Sequence, residues 1–430
     1  MNAHWHRRRR ASSKIGAFAL VGVLATTAAV TAMSGTASAV VPPTPVVVAG
    51  FGDGTGSCTV APTTITCPTL RLAIARANSF PGTTITLPAG VYSLTKGPIS
   101  VGGAGTKIVG AASPVGANPT LVNAGGKRGF EIAGKNVVFS GLAITNGNGG
   151  LTGGGAIAVN PTATGFVLSD STIFGNVGSV GGGVEVFGSA LIERSTFTGN
   201  SAAIKGGAIH ASGIVEVVNS TFTGNSGGRG GAIAIWALGK GAISYSTFVD
   251  NTSFGRLGGG VDRYSGSLVV TGSVLTATGA TAKTGSDCAN GPKLIGLNFV
   301  GNTVDCVIAG TPLTATSPGP MTLGALANNG GPTQTIAPAG GSVGLDVNLT
   351  ECKVVGTNGF LGAALTVDQR GLPRPSGRDV PPRCDLGAFE TMPFDVELAL
   401  SSSTATPPVG ASTIPAANIP GAVSDTQALF

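Results

Sequence analysis

The chain contains little charge, few aromatic side chains and almost no histidine. Of its 430 residues, 10% are charged, 5% are aromatic and three are histidines, whereas 42% are apolar and 71 are glycine. Disordered chains are usually poor in apolar residues and rich in net charge, so the composition excludes disorder for most of the length. The scarcity of histidine and the cysteine spacings argue against a zinc site. This composition suits a narrow core filled by Val, Ile, Ala and a few Phe.

Residues 1–39 have the pattern of a secretory signal peptide. A basic stretch at Arg7 to Arg10 and Lys14 precedes an apolar run from Ile15 to Met33, and Ala37-Ser38-Ala39 is a small-residue cleavage site. An uncleaved membrane anchor is the alternative, since the apolar run has 19 residues. Without the leader the chain has 20 Lys and Arg against 19 Asp and Glu. We therefore expect a secreted, extracellular or cell-wall-associated protein with no nucleic-acid partner and no membrane span after signal removal.

The six cysteines form three local pairs along the chain. Export to an oxidising compartment favours disulfides, and proximity alone predicts Cys58–Cys67, Cys288–Cys306 and Cys352–Cys384. Six cysteines allow 15 connectivities, so other pairings stay open.

One six-residue motif occurs four times between residues 171 and 251. The four copies are Ser171-Thr172-Ile173-Phe174-Gly175-Asn176, Ser195-Thr196-Phe197-Thr198-Gly199-Asn200, Ser220-Thr221-Phe222-Thr223-Gly224-Asn225 and Ser246-Thr247-Phe248-Val249-Asp250-Asn251. Their serines are 24, 25 and 26 residues apart, a period typical of a solenoid whose units stack on one another. A leucine-rich repeat has a similar period but needs a leucine-dominated consensus. Here β-branched, Phe, Thr and Gly residues dominate, so we predict an all-β parallel β-helix.

The rest of the chain divides into regions around these repeats. Pro68 to Asn78 is the best helix signal, with Leu70, Ile74 and Ala77 on one face that would cover the end of the first coil. The predicted regions are a linker at 40–57, an N-terminal cap and first coils at 58–115, β-helix repeats at 116–310, a C-terminal region at 311–392 and a disordered tail at 393–430.

Both ends of the β-helix carry motifs that resemble a known family. Cys67 to Ile74 resembles the CSLREA-type N-terminal motif of bacterial secreted β-helix proteins, although Leu72 stands where that motif usually has Glu. Three C-terminal runs resemble the choice-of-anchor Q domain: Leu323 to Thr335, Asp368 to Pro375 and Cys384 to Glu390. The resemblance implies a right-handed, pectate-lyase-like β-helix at the cell surface or in the medium, generally without an assigned reaction. We expect no hydrophobic sorting helix of the kind that often follows such domains.

The repeat period predicts which residues lie above one another. Ile173, Phe197, Phe222 and Phe248 should stack inside the core, and Asn176, Asn200, Asn225 and Asn251 should form a structural ladder at a bend. Since strand side chains alternate between faces, two outward columns follow. The first contains Ala158, Glu185, His210, Ala234 and Asp262; the second contains Asn160, Phe187, Ser212, Trp236 and Tyr264.

These outward columns provide the candidate site. Aromatic side chains flanked by hydrogen-bonding groups suit the apolar faces and hydroxyls of sugars. We predict a glycan-binding face that contacts an extracellular or cell-wall polysaccharide through Glu185, Phe187, His210, Ser212, Trp236, Asp262 and Tyr264. Scattered surface residues with no common role, and a catalytic site, are the alternatives.

The sequence favours binding over catalysis. A polysaccharide lyase or glycoside hydrolase of the pectate-lyase-like superfamily is the alternative function, and it would need clustered carboxylates. Glu185 and Asp262 are three coils apart, about 14 Å at one strand spacing per coil. We therefore expect no catalytic residue, no metal and no cofactor, and a structural, adhesive or polysaccharide-binding role.

Overall fold

The computed structural model describes residues 44–111, 119–255, 257–276, 286–303, 313–314, 321–347, 352–359, 361–376 and 383–392. The chain forms a right-handed parallel β-helix, as predicted. In eight successive coils, three parallel sheets each receive one described strand per coil. The predicted signal peptide and disordered tail lie outside the described residues. Within those residues, no helix is long and apolar enough to cross a membrane.

Sheet 1 is the longest of the three sheets. Its described strands are parallel except at the N-terminal end, where Thr59–Val60 pairs antiparallel with Ile65–Cys67. In spatial order they are Thr59–Val60, Ile65–Cys67, Val46–Val48, Thr84–Leu87, Lys107–Gly110, Val138–Ser140, Phe166–Ser169, Ser189–Glu193, Ile214–Val218, Lys240–Ser244, Ser267–Thr271 and Lys293–Ile295.

Sheets 2 and 3 are short-stranded and parallel throughout their described length. Sheet 2 contains Gly90–Ser93, Thr120–Asn123, Ala143–Thr145, Thr172–Phe174, Thr196–Thr198, Thr221–Thr223, Thr247–Val249, Val274–Thr276, Phe299–Val300 and Leu313–Thr314. Sheet 3 contains Ile99–Val101, Phe130–Ile132, Ile157–Val159, Val184–Val186, Ile209–Ala211, Ile233–Ile235, Val261–Arg263 and Cys288–Ala289. Between them a corner ladder contains Val177–Val180, Ser201–Lys205, Ser226–Gly227 and Thr252–Ser253, and a 3₁₀ turn spans Gly150–Thr152.

The core is built from columns of identical or similar side chains. Phe197, Phe222 and Phe248 stack with centroid distances of 4.8 and 4.7 Å, and Ile173 continues their column. All four are buried. The predicted inward stack is confirmed, because one period of sequence advances the chain by one strand spacing.

Two polar ladders close the corners beside sheet 2. The amide oxygen of Asn225 accepts hydrogen bonds from the backbone and side-chain nitrogens of Asn200 at 3.0 Å each, and its Nδ2 donates to the carbonyl of Phe197 at 3.0 Å. The Oγ of Ser220 accepts from the backbone nitrogen of Ser195 at 3.2 Å. The same contacts recur from coil to coil. The predicted asparagine ladder is therefore structural, since it satisfies buried backbone groups.

The N-terminal end is capped by the predicted helix, which spans Leu70–Ser79. The hydroxyl of Thr69 accepts from the backbone nitrogen of Leu72 at the helix start. Asp53 accepts from the Arg71 guanidinium at 2.6 and 2.9 Å and fastens the preceding chain to the helix.

The prediction of a linker at 40–57 is wrong for its described part. Val46–Val48 is a strand of sheet 1 and both terminal valines are buried. This strand pairs with Ile65–Cys67 on one side and with Thr84–Leu87 on the other. Both partners lie further along the chain, so the residues around Val46–Val48 did not indicate the pairing.

The C-terminal segment, here the described residues 321–347, 352–359, 361–376 and 383–392, lies against the outer faces of sheets 1 and 2. It contains two antiparallel hairpins, Leu323–Ala327 with Thr335–Pro338 and Lys353–Val355 with Leu361–Ala364. The repeated threonines of sheet 2 hold it. Thr221 donates from Oγ1 to the side chain of Gln369 at 2.6 Å, and the Oγ1 of Thr247 accepts from the backbone nitrogen of Ala388 at 2.9 Å.

Two of the three predicted disulfides are confirmed. Cys58 is bonded to Cys67, and Cys352 to Cys384. Cys288 is also disulfide-bonded. Its predicted partner Cys306 lies outside the described residues, so that pairing stays a prediction.

Candidate functional site

The predicted outward columns are in register on sheet 3. Glu185 pairs with His210, His210 with Ala234, and Ala234 with Asp262 on successive strands. The next outward position follows each strand. There the backbone nitrogens of Phe187 and Trp236 donate to carbonyls of the preceding coil, each at 2.9 Å. The period therefore predicted correctly which site residues are neighbours.

The first column is covered, contrary to the expectation of an open face. Only 3% of Glu185, 4% of His210 and none of Asp262 is exposed. A Cβ placed on Gly153 would lie 2.7 Å from Glu185 Oε2, which shows how closely the chain before the strand covers this carboxylate. These three side chains cannot contact a polymer directly in this arrangement.

Glycine bends account for this cover. Runs of two or three glycines precede strands of sheet 3, for example Gly181 to Gly183 and Gly206-Gly207. The first glycine of each of these two runs has a positive φ, 56° at Gly181 and 63° at Gly206. At Gly206 a Cβ would lie only 2.0 Å from the carbonyl oxygen of Ile209. Only glycine fits so tight a fold-back, and it brings the preceding residues over the outward column of sheet 3.

Glu185 and His210 form a buried polar pair. Glu185 Oε1 lies 3.8 Å from His210 Nδ1, beyond hydrogen-bond distance. In the protein, Glu185 Oε2 and both ring nitrogens of His210 have no hydrogen-bond partner among the described residues. Leaving buried polar atoms unpaired is costly, so the pair departs from ordinary core packing.

Two cations that the sequence analysis missed lie beside these columns. Burial lowers the pKa of Lys205, with nearby Glu185 opposing and Arg229 adding to that shift. Arg229 donates from Nε to Asp262 at 2.7 Å, and Asn290 donates to the other oxygen of Asp262 at 2.5 Å. Lys205 and Arg229 each directly precede the first glycine of a Gly-Gly pair. Their position directly before these glycines is the sequence feature that could have identified the two cations.

The aromatic strip, defined here as Phe187, Ser212, Trp236 and Tyr264, remains accessible. Phe187 is 43% and Tyr264 is 49% exposed, and Ser212 and Trp236 are half-buried. The rings of Trp236 and Tyr264 stack at 3.9 Å with an interplanar angle of 7°.

Cations cover parts of the aromatic strip. Lys205 Nζ lies 3.3 Å from the centroid of Trp236, and the Arg229 guanidinium lies 4.4 Å from that of Tyr264. Lys205 belongs to the coil that precedes the coil of Trp236, and Tyr264 belongs to the coil that follows it. Both faces of the indole are therefore occupied, and Trp236 offers its edge rather than an open platform.

The arrangement contains no pair of adjacent acids suited to glycoside hydrolysis. Two strands separate Glu185 from Asp262, so the three strand spacings between them amount to about 14 Å. Among the described residues, no group of three or more His, Cys, Asp or Glu side chains is placed to hold a metal ion. The site offers aromatic edges, hydroxyl and amine donors, and a buried electrostatic network beneath them.

Comparisons with known proteins give limited information. No protein-family model and no curated protein matches the chain. It is similar to pectate lyase Pel9A, with 13% identity, 80% of this chain and 96% of that chain covered, and a TM-score of 0.43. It is also similar to Jun a 1, the major allergen from cedar pollen, with 13% identity, coverage of 63% and 76%, and a TM-score of 0.39.

A third similar structure is a pectin methylesterase from Aspergillus niger. The identity is again 13%, 64% of this chain and 84% of that chain are covered, and the TM-score is 0.33. At these values the comparisons assign no activity to the chain.

Proposed function

We propose that the protein is exported and binds an extracellular or cell-wall polysaccharide through the aromatic strip on sheet 3. The observation that carries the proposal is the placement of Phe187, Trp236 and Tyr264 in one accessible column of a chain with only 5% aromatic residues. Sugars combine apolar C–H faces with hydroxyls. Exposed aromatic surface beside Ser212, Lys205 and Arg229 complements both.

The buried acids act here as positioning groups. Asp262 fixes Arg229 against Tyr264, and Glu185 attracts Lys205, which lies on Trp236. Their charges balance those of the two cations, so the face carries no large net charge. A weakly charged face with aromatic edges favours recognition by contact over long-range electrostatic attraction.

Export is supported by residues on both sides of the solenoid. The leader at 1–39 has the three parts of a signal peptide, and the disulfides Cys58–Cys67 and Cys352–Cys384 suit an oxidising compartment. The CSLREA-type and choice-of-anchor Q resemblances imply the same destination. They extend the proposal to a surface or cell-wall protein with an adhesive or structural role.

The intrinsic emission of Trp236 tests the proposal. Besides Trp5 in the leader, Trp236 is the chain's other tryptophan, so the mature protein reports from the strip alone. Titration with soluble plant, fungal and bacterial wall polysaccharides should shift this emission for at least one of them, because a bound sugar changes the surroundings of the indole. Product assays on the same panel should find no new reducing ends or unsaturated sugars.

The outcomes are distinguishable. Emission that no polysaccharide changes, together with no retention on any of them, would leave the strip as ordinary surface. Turnover that Glu185→Gln abolishes would instead favour the lyase or hydrolase alternative.

A further inference from the structure

A pocket at the junction of sheets 3 and 1 has no role in the proposed function. It has a volume of about 240 Å³ and lies between the end of sheet 3, sheet 1 and the tip of the second C-terminal hairpin. Its polar lining comes from Arg263, Ser267, Lys293, Thr357 and Asn358. Drug-sized ligands occupy pockets of roughly 300–1,000 Å³, so this one suits a smaller molecule, about the size of a monosaccharide.

The described lining of the pocket carries positive charge and no negative charge. None of its lining residues, all within the described chain, is acidic. Arg263 donates from Nε to the carbonyl of Asn290 at 2.7 Å and from Nη1 to the carbonyl of Gly266 at 3.2 Å. Both acceptors are neutral, so they orient the guanidinium without cancelling its charge. Among the described residues, no carboxylate forms an ion pair with Arg263 or Lys293.

Two tight turns shape the walls. Gly266 has φ 85°, and a Cβ there would lie 2.2 Å from the carbonyl oxygen of Gly239. Gly359, at the hairpin tip, has φ 81°, and a Cβ there would lie 3.8 Å from Lys293 Nζ. Lys293 therefore reaches the hairpin that closes the pocket.

We propose that this pocket binds a small oxyanion, a carboxylate, phosphate or sulfate group carried by a molecule of about monosaccharide size. The guanidinium of Arg263, oriented by two carbonyls, and the ammonium group of Lys293 supply charge-assisted hydrogen bonds to such a group. The hydroxyls of Ser267 and Thr357 add neutral donors beside it. The ligand site is separate from the aromatic strip and does not depend on the proposed polysaccharide binding.

Calorimetric titration of the full mature protein with glucuronate, inorganic phosphate and glucose tests the proposal. Binding of glucuronate alone identifies a sugar carboxylate, binding of phosphate alone identifies a phosphate group, and binding of both identifies a general oxyanion site. Each of these results supports the inference. Equal binding of glucose, or binding of neither anion, overturns it.

Variants locate the binding. Lys293→Gln should weaken anion binding about tenfold, the effect of losing one charge-assisted hydrogen bond. Lys107→Gln is the matched control, since Lys107 is an exposed lysine of the same sheet near the other end of the solenoid. Arg263→Gln also loosens the corner that it holds, so Lys293→Gln carries the test. An unchanged affinity in Lys293→Gln, or an equal loss in Lys107→Gln, contradicts the assignment. Trp236→Ala should leave anion binding intact.

Discussion

Phe222 is the central ring of the stacked phenylalanine column in the core. It is fully buried between Phe197 and Phe248, with interplanar angles of 9° and 4°. Phe222→Ala should lower the free energy of unfolding by about 3–5 kcal/mol, because it removes apolar contacts and leaves a cavity that stacked neighbours cannot fill. Chemical denaturation followed by circular dichroism measures the change.

Thr223 is the matched control for Phe222. It is the next residue of the same strand, it points outward and it is half-buried. Thr223→Ala should change the free energy of unfolding by about 0.5 kcal/mol or less. Equal losses from the two substitutions would contradict the inward and outward assignment of sheet 2.

Single residues also show where sequence reasoning succeeds and fails. The pairing of Glu185 with His210 could be predicted, because a stacked repeat converts sequence spacing directly into neighbours. Their burial could not, since it depends on how the chain folds back at Gly181 and Gly206. The glycine runs before these strands are visible in the sequence, but the direction in which the chain bends there is a three-dimensional property.

Among the elements, the C-terminal segment contains a buried charge network. Arg374 and Glu390 are buried, and Arg374 Nε lies 3.1 Å from a carboxylate oxygen of Glu390. Burial raises the pKa of Glu390 to about 8, since desolvation outweighs the attraction of Arg374 and Asp385 adds to the shift. Arg374, Asp385 and Glu390 thus form a buried charge network within the C-terminal segment.

This network predicts a pH dependence of stability. The ordinary pKa of a glutamate is 4.5, so between about pH 4.5 and 8 the folded state keeps a proton that the unfolded chain releases. The free energy of unfolding should therefore fall as the pH rises through this window, by at most about 1.4 kcal/mol per pH unit for one proton. Glu390→Gln should remove this part of the slope, measured by urea denaturation at several pH values. Parallel wild-type and variant curves would contradict the assignment.

The disulfide bond of Cys288, at the end of the solenoid, gives a prediction about cysteine connectivity. Cys288 is buried at the last described strand of sheet 3 and is disulfide-bonded. Mass spectrometry of non-reduced peptides should find it linked to Cys306. A link from Cys288 to any other cysteine would show that proximity along the chain does not determine this pairing.

At the scale of the whole molecule, the repeats determine the solenoid and the non-repeated ends complete it. The period predicted the parallel β-helix, its core columns and its asparagine ladder, and the resemblance of the terminal motifs implied its right hand. It gave no information on Val46–Val48, which was expected in a linker, or on the contact of Gln369 with Thr221. Those contacts join distant, dissimilar segments, and only the folded chain brings them together.

The solenoid architecture also limits how much of the candidate site could be predicted from the sequence. A solenoid presents a long surface, and a sequence reveals which residues share a column but not which columns are covered. Phe187 and Tyr264 stayed accessible, whereas Glu185, His210 and Asp262 did not. The candidate face is therefore the aromatic strip with Lys205 and Arg229, a set that differs from the predicted one.

Equilibrium binding to insoluble cell-wall polysaccharides tests the central claim most directly. Wild-type protein should be retained on at least one of them, and Tyr264→Ala should weaken that retention about tenfold or more without a change in folding, since aromatic contact residues dominate such sites. Phe254→Ala is the matched control, because Phe254 is 59% exposed outside the aromatic strip, and it should bind as the wild type does. Retention that is equal in all three proteins, or absent in the wild type, would contradict the account.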